Sequence, residues 1–278
     1  MKKSIMKKLF VMFLVVGIAN ICNATLVLYY NFNETAGTTA ADTAGVGSPA
    51  YDGTLRDGLT FDSGSVSGKY GGALNMNGDV DIAMNSDDSG NLPGALAAGN
   101  NFTISLWFKN ANWTDGGVIF AYGKSDLRFT IGFSNLNGVP EIRVYSKALN
   151  GANPDVLIRE QLPLPGIDND VWHHLAVVVS STLGDTAADP LIYVDGSSSG
   201  GTATTNAWVT DLGVRLGRRE STTKVYYDGY IDDFAIFDMT LTSQEISAIY
   251  NSTTAIPEPA TMTLLALGLT AVCSRTKK

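Results

Sequence analysis

His173 and His174 are the only two histidines in the chain, and they stand side by side in "VWHHLAVVV" (171–179). Adjacent imidazoles raise two kinds of chemistry: a metal pair, or a general base with a neighbour. The surrounding residues argue against both. A run of apolar and β-branched residues reads as a strand, and successive strand side chains point to opposite faces. Two diverging rings cannot chelate one ion together. No H-x-H spacing and no neighbouring cysteine completes a zinc site. The pair is expected to be framework.

Carboxylate chemistry fares no better. A retaining glycosidase needs two carboxyls about 5 Å apart, commonly glutamates at alternate positions of one strand. The pattern E-x-D-x-E is absent, and Glu34, Glu141, Glu160, Glu220, Glu245 and Glu258 are all more than ten residues apart. The run "DGYIDDFAIFD" offers only aspartates. A serine hydrolase is not expected either, so no catalytic residue is assigned.

The elements that must position any site are short strands. "TLVLYYNF", "FTISLWFK", "GGVIFAYG", "LRFTIGFS", "EIRVYS", "WHHLAVVVS", "LIYVDG", "GVRLG" and "YIDDFAIFD" recur between Gly, Asn and Asp turns. Such spacing argues for an all-β sandwich or barrel. Asn77-Gly78, Asn137-Gly138 and Asp195-Gly196 suit two-residue hairpin turns, which need positive φ at both central positions. In "FTISLWF", Phe102, Ile104, Leu106 and Phe108 share one face. Thr103, Ser105 and Trp107 share the other, which a loop covers or a groove uses. Strict alternation in "YIDDFAIFD" places Ile231, Asp233, Ala235 and Phe237 together, with Asp232, Phe234, Ile236 and Asp238 opposite. One helix is expected in "LTSQEISAIYN", where Thr242 and Glu245 have capping-box spacing; it would lid one edge.

Both ends read as processing signals. Four lysines precede a short apolar run, Leu9 to Ile18, and "CNA" places small residues for a cut after Ala24. Residues 1–24 are thus expected to be a secretory signal peptide. At the other end, Pro257-Glu258-Pro259 precedes an apolar stretch from Ala260 to Cys273 and a basic tail of Arg275, Lys277 and Lys278. That order predicts a rigid spacer, a segment that inserts transiently in a membrane, and a positive stop. The apolar run is shorter than the ~20 residues of a full span.

Between the ends the composition changes. Cys22 and Cys273 both lie in end segments, which leaves no cysteine for a disulfide or thiol chemistry. Of 19 basic residues 12 lie between the ends, and of 27 acidic residues 26 do, a net charge of −14. Such a surface repels nucleic acid and suits cations or neutral sugars. Of the acids, 21 are aspartates, a residue type that serves turns and calcium alike.

Six blocks in order carry a family resemblance: "LVLYYNFNETAGTTAADTAGVGSPAYDGTL", "GKYGGALNMNG", "FTISLWFK", "WHHLAVVV", "LIYVDG" and "YIDDFAIFDMTLTSQEISAIY". Residues 25–251 resemble the laminin-G-like domains of the concanavalin A-like lectin/glucanase superfamily. The resemblance implies a two-sheet antiparallel jelly-roll β-sandwich with one short C-terminal helix, flanked here by signal and sorting helices. It implies binding more often than catalysis, with glycan-active enzymes as the alternative and a purely structural matrix role as a third. Residues 252–278 resemble the PEP-CTERM sorting signal, which implies an exosortase-type protease as partner and display at the bacterial envelope, surface or matrix.

A jelly roll often brings first and last strands together. Asn33, Glu34, Asp42, Asp232 and Asp233 would then gather oxygens for a calcium ion, helped by loop carbonyls, unless they are turn-forming, solvated acids. Sugar binding needs exposed rings, and Trp113, Tyr145, Trp208, Tyr226 and Tyr227 are the candidates. The expected partner is an extracellular polysaccharide or a surface protein.

Overall fold

The structure, a computed structural model, describes residues 24–44, 51–84, 96, 101–110, 117–124, 127–136, 139–147, 162–163, 170–180, 190–198, 214–219 and 225–256. In chain order the elements are β1 (Leu26–Tyr30), β2 (Thr39–Ala40), β3 (Gly53–Leu55), α1 (Phe61–Gly64), β4 (Ser65–Ser67), β5 (Gly72–Asn75), β6 (Ile82–Met84), β7 (Phe102–Asn110), β8 (Val118–Lys124) and β9 (Leu127–Leu136). There follow β10 (Val139–Lys147), β11 (Leu162–Pro163), β12 (His173–Val179), β13 (Leu191–Val194), β14 (Ser197–Ser198), β15 (Val214–Leu216), β16 (Arg218–Arg219), β17 (Val225–Tyr226), β18 (Gly229–Phe237) and α2 (Ser243–Tyr250).

Two antiparallel sheets form a sandwich. Sheet A runs β14-β13-β12-β7-β18-β5-β4, with β1 also on β18. Sheet B runs β11-β10-β9-β8-β15-β6-β3-β2, and β16 and β17 make a small ribbon. First and last strands are neighbours, as a jelly roll requires.

Period-2 patterning builds the core. Phe102, Ile104, Leu106 and Phe108 of β7 meet Leu175, Val177 and Val179 of β12 between the sheets. Each such side chain contributes about 1.5–3 kcal/mol through burial. Thr103, Ser105 and Trp107 take the outer face of sheet A and are buried too. Their cover is α2 and the chain on either side of it: Leu241, Ile246, Ile249 and Ile256 pack against Val178 and Phe237. The helix expected at an edge therefore lies over a sheet face, because that face is apolar and needs covering. Its capping box forms as expected, with Thr242 Oγ1 accepting from the Glu245 N–H and Glu245 Oε2 accepting from the Thr242 N–H.

The turn expectations divide. Asp195 and Gly196 have φ of 51° and 75° and join the paired strands β13 and β14 as a hairpin. Leu136 pairs with Val139 across residues 137–138, which lie outside the described residues. Asn77 and Gly78 also take positive φ, 40° and 77°, but they link β5 in sheet A to β6 in sheet B. That turn crosses the sandwich and closes no hairpin. Gly72 does permit close approach: a Cβ there would collide with the Phe32 carbonyl oxygen.

β18 departs from strict alternation. Its register on β7 shifts between Asp232 and Ala235, and Asp233 adopts φ of 48°. The bulge inserts one residue. Ile231, Phe234 and Ile236 then share the inner core, whereas Ala235 and Phe237 join the outer cluster. Both aspartates are left at the bulge.

Candidate functional site

The two histidines diverge as strand geometry demands. The His173 ring lies 5.8 Å from the Phe108 ring, and its Nδ1 is 2.8 Å from Asp195 Oδ2. The His174 ring lies on the outer face, 5.2 Å from the Trp107 ring, with Nε2 2.9 Å from Ser105 Oγ. A Ser–His contact is half of a nucleophilic triad, which also needs a carboxylate on the other ring nitrogen. His174 Nδ1 has no such partner. Asp195 instead accepts from the His174 main-chain N–H at 2.9 Å. Burial disfavours the Asp195 charge, but the His173 ring and the His174 amide outweigh it and hold the carboxyl below its usual range. Burial also pushes the His174 pKa down to about 4, so the ring is neutral. Ser105 and His174 are fully enclosed, with Tyr250 stacked on Trp107 above them. This geometry holds the sheet to its helix.

A second serine pattern also falls short. Gly196-Ser197-Ser198-Ser199-Gly200 fits the nucleophile-elbow spacing G-x-S-x-G. An elbow needs a strand-to-helix turn. Ser198 instead lies exposed on β14, within a hairpin.

The five residues proposed for calcium are divided among separate tasks. Asn33 Oδ1 accepts from the Gly72 N–H at 2.7 Å. Glu34 Oε1 accepts from the Ala41 N–H at 2.7 Å. Asp42 accepts from the N–H groups of Tyr29, Ala44 and Tyr51 at 3.0, 3.1 and 3.1 Å, pinning the loop after β1. Asp232 accepts from the N–H of Tyr70 at 3.0 Å and of Asp233 at 2.7 Å. Asp233 accepts from the Tyr29 hydroxyl. Among the described residues no three His, Cys, Asp or Glu side chains come close enough to hold a metal ion. Glu34 Oε2 and Asp233 Oδ2 are buried without a hydrogen-bond partner, whereas main-chain amides and a phenol hold the other oxygens of the set. Burial raises the pKa of both Asp232 and Asp233, and their proximity raises Asp232 further.

Of the five aromatic candidates, Trp113 and Trp208 lie outside the described residues. Tyr145 is on β10 opposite Thr130. Tyr226 is half-buried on β17, with the Arg218 guanidinium 5.8 Å from its ring centre. The expectation for Tyr227 is corrected: its ring is in the inner core, and its hydroxyl donates to Asn110 Oδ1 at 2.6 Å. A core ring offers no platform.

Sheet A presents an aromatic patch that the sequence reading missed. Lys109, one step beyond the core stripe of β7, pairs in register with Tyr230 of β18. Its Nζ stands 4.4 Å from the Tyr230 ring centre and 5.6 Å from that of Trp172. These are cation–π distances. Both rings are half-buried, and Val171 beside them is 46% exposed. The signal was present: Lys109 follows Trp107 at the alternate position of "FTISLWFKN", on the face that looked insufficiently polar. A similar pairing sets Lys69 Nζ 4.2 Å from the Trp107 ring.

The architecture, two antiparallel sheets with first and last strands adjacent, is that of a jelly-roll sandwich without a recognisable catalytic constellation among the described residues. Residues 84–247 match the family described as the concanavalin A-like lectin/glucanases superfamily, and the chain belongs to it. Residues 255–278 match the PEP-CTERM protein-sorting motif. No curated protein matches the chain in sequence. Among solved structures, domain 4 of AbnA, a GH43 extracellular arabinanase from Geobacillus stearothermophilus, in complex with arabinotriose, is 20% identical at a TM-score of 0.57, over 82% of this chain and 100% of that one. Trypanosoma rangeli sialidase in complex with sialic acid is 14% identical at 0.55, over 84% of this chain and 34% of the sialidase. The botulinum neurotoxin type G receptor binding domain is 16% identical at 0.52, over 81% and 51%. The chain thus spans about a third of the sialidase and half of the neurotoxin domain. At such identities the likeness is one of fold, and that fold serves enzymes and binding modules alike.

The sorting motif marks the protein for export to the bacterial cell envelope or surface and for processing by the exosortase system. Pro257, Glu258 and Pro259 fall within the matched motif but outside the described residues, as does the apolar stretch after them. Among the described residues no helix is long and apolar enough to cross a membrane.

Proposed function

We propose that this exported domain is a non-catalytic module that binds extracellular polysaccharide, with Trp172, Tyr230 and Lys109 as its contact patch. The chain divides accordingly into a signal peptide (1–24), the sandwich (25–251) and the sorting segment (252–278). The observation that carries the reading is the pair of half-buried rings bracketing Lys109 on a domain of net negative charge. A flat ring supplies apolar area to the C–H face of a sugar while its polar edge stays wet. Lys109 adds three N–H donors for hydroxyl or carboxylate oxygens. A non-catalytic role is supported by the enclosure of Ser105 and His174 and by the lack of paired glutamates.

A glycan array probed with the exported protein tests this, with and without calcium. Binding that weakens at least tenfold in Trp172→Ala and in Tyr230→Ala, with unchanged melting temperature, is the expected result. A tenfold loss corresponds to about 1.4 kcal/mol, within reach of one stacked ring. Silence across the array favours a structural role, and release of reducing ends from any bound glycan overturns the non-catalytic reading.

A further inference from the structure

The start of the folded domain holds a feature that only processing would complete. Thr25 is the first residue after the cut expected at Ala24. Its N–H donates to Asp238 Oδ1 at 2.6 Å, and its carbonyl accepts from the Asp238 N–H at 3.0 Å. The two residues adjoin neighbouring antiparallel strands in which Leu26 faces Phe237, so the sheet itself holds them in register. Ala24 packs against the outer apolar cluster beside them.

We propose that Asp238 is the binding site for the α-ammonium of Thr25 in the exported protein. A signal peptidase hydrolyses the Ala24–Thr25 peptide bond with one water. The hydroxyl goes to the Ala24 carbonyl carbon and a hydrogen to the Thr25 nitrogen. The amine released takes a further proton from solvent at neutral pH. A neutral amide donor is thereby replaced by a charged group with three N–H donors, already within hydrogen-bond distance of a carboxylate. Charge-assisted bonds of this kind are roughly twice as strong as neutral ones. The signal peptide would thus be removed at the bond that creates a new ion pair between the first strand and the last.

Other titratable groups on the elements packed here are engaged elsewhere. Tyr29 donates to Asp233, and Asp42 accepts from three loop amides. Asp232 accepts from the amides of Tyr70 and Asp233, and Glu245 caps its own helix. An α-amine paired with a carboxylate has its folded pKa raised above the ~7.7–8.0 of an unfolded chain. Its contribution to stability is complete below that value and is lost as pH rises through the folded pKa.

The proposal rests on the cut at Ala24, and two measurements keep the two claims apart. N-terminal sequencing of the exported protein should find Thr25 first; any other first residue overturns the cut and the ion pair in cells. The ion pair is tested on the chain from Thr25 to Lys278 with its N-terminus exposed by a specific protease, against the same chain extended by Gly-Ser. The expected result is slower acylation of the Thr25 α-amine at pH 7.5, by about twofold or more, the effect of a rise of about half a unit in its pKa. The melting temperature should fall more steeply from pH 7 to pH 10 than in the extended chain, and Asp238→Asn should abolish that extra fall. Equal acylation rates and superimposed pH profiles in the Thr25-first and extended chains overturn the ion pair even where sequencing confirms the cut.

Discussion

The Ser105 hydroxyl and the His174 Nε2 lie 2.9 Å apart on neighbouring strands, sealed beneath Trp107 and Tyr250. Their burial predicts a pH response and no turnover. The His174 ring stays neutral in the fold down to about pH 4, whereas an unfolded chain protonates its histidine near ~6.5. This folded pKa is depressed, so the contribution is present above ~6.5 and lost as pH falls through about 4. His174→Gln should flatten that acid limb in urea-unfolding midpoints taken at stepped pH. The wild-type limb should be steeper by up to about 1.4 kcal/mol per pH unit. Identical limbs would contradict a neutral buried ring.

Asp232 and Asp233 should act with the opposite sign. Burial raises both carboxyls, Asp232 to about 7. Stability from the protonated pair is therefore complete below the ~3.9 of an unfolded aspartate and declines as pH rises toward 7. Asp233→Asn, which retains an acceptor for the Tyr29 hydroxyl, should reduce that decline. The comparison is best made in the His174→Gln background, where the opposing slope is absent. A decline as steep as before would show that Asp233 does not contribute to it.

Beside sheet B, Arg215 Nη1 lies 2.7 Å from Asp81 Oδ2, and Arg218 Nη1 is 3.6 Å from Asp81 Oδ1, all buried. Removing one member of a buried ion pair costs about 3–5 kcal/mol, because a charge is left enclosed. Asp81→Ala should lose that much in denaturant unfolding. Asp81→Ala combined with Arg215→Met should lose less than Asp81→Ala alone. A double variant that loses the sum of both single losses would rule out coupling.

Calcium removal should leave the fold unchanged. Asp42 and Asp232 already accept main-chain N–H groups, and Asp233 a phenol. Melting curves with EDTA and with millimolar calcium are expected to coincide. A rise in melting temperature with calcium would require a bound ion and a ligand set other than this one.

Much of this protein is determined by local sequence. Period-2 patterning selects strands and tells inner from outer faces in β7 and β12, since alternation depends only on neighbouring residues. Capping chemistry places α2 at Thr242, and Asp195-Gly196 supplies the backbone conformation its hairpin needs. The two end segments are legible because their order of charge, apolar run and small or proline residues is itself the signal.

Other features were decided by tertiary structure. The bulge at Asp233 reverses the face of every residue after it in β18, and alternation alone cannot reveal one extra residue. The Asn77-Gly78 turn has hairpin chemistry, yet the partners of β5 and β6 send it between sheets. Asp42, Asp232 and Asp233 have calcium-ligand chemistry in sequence, and only the folded chain shows the amides and the phenol from which they accept. Trp172 (just before β12), Lys109 and Tyr230 lie far apart in sequence and meet only because β12, β7 and β18 are neighbours in one sheet. Residue type and spacing set which interactions are available to a strand; the pairing of distant strands selects among them.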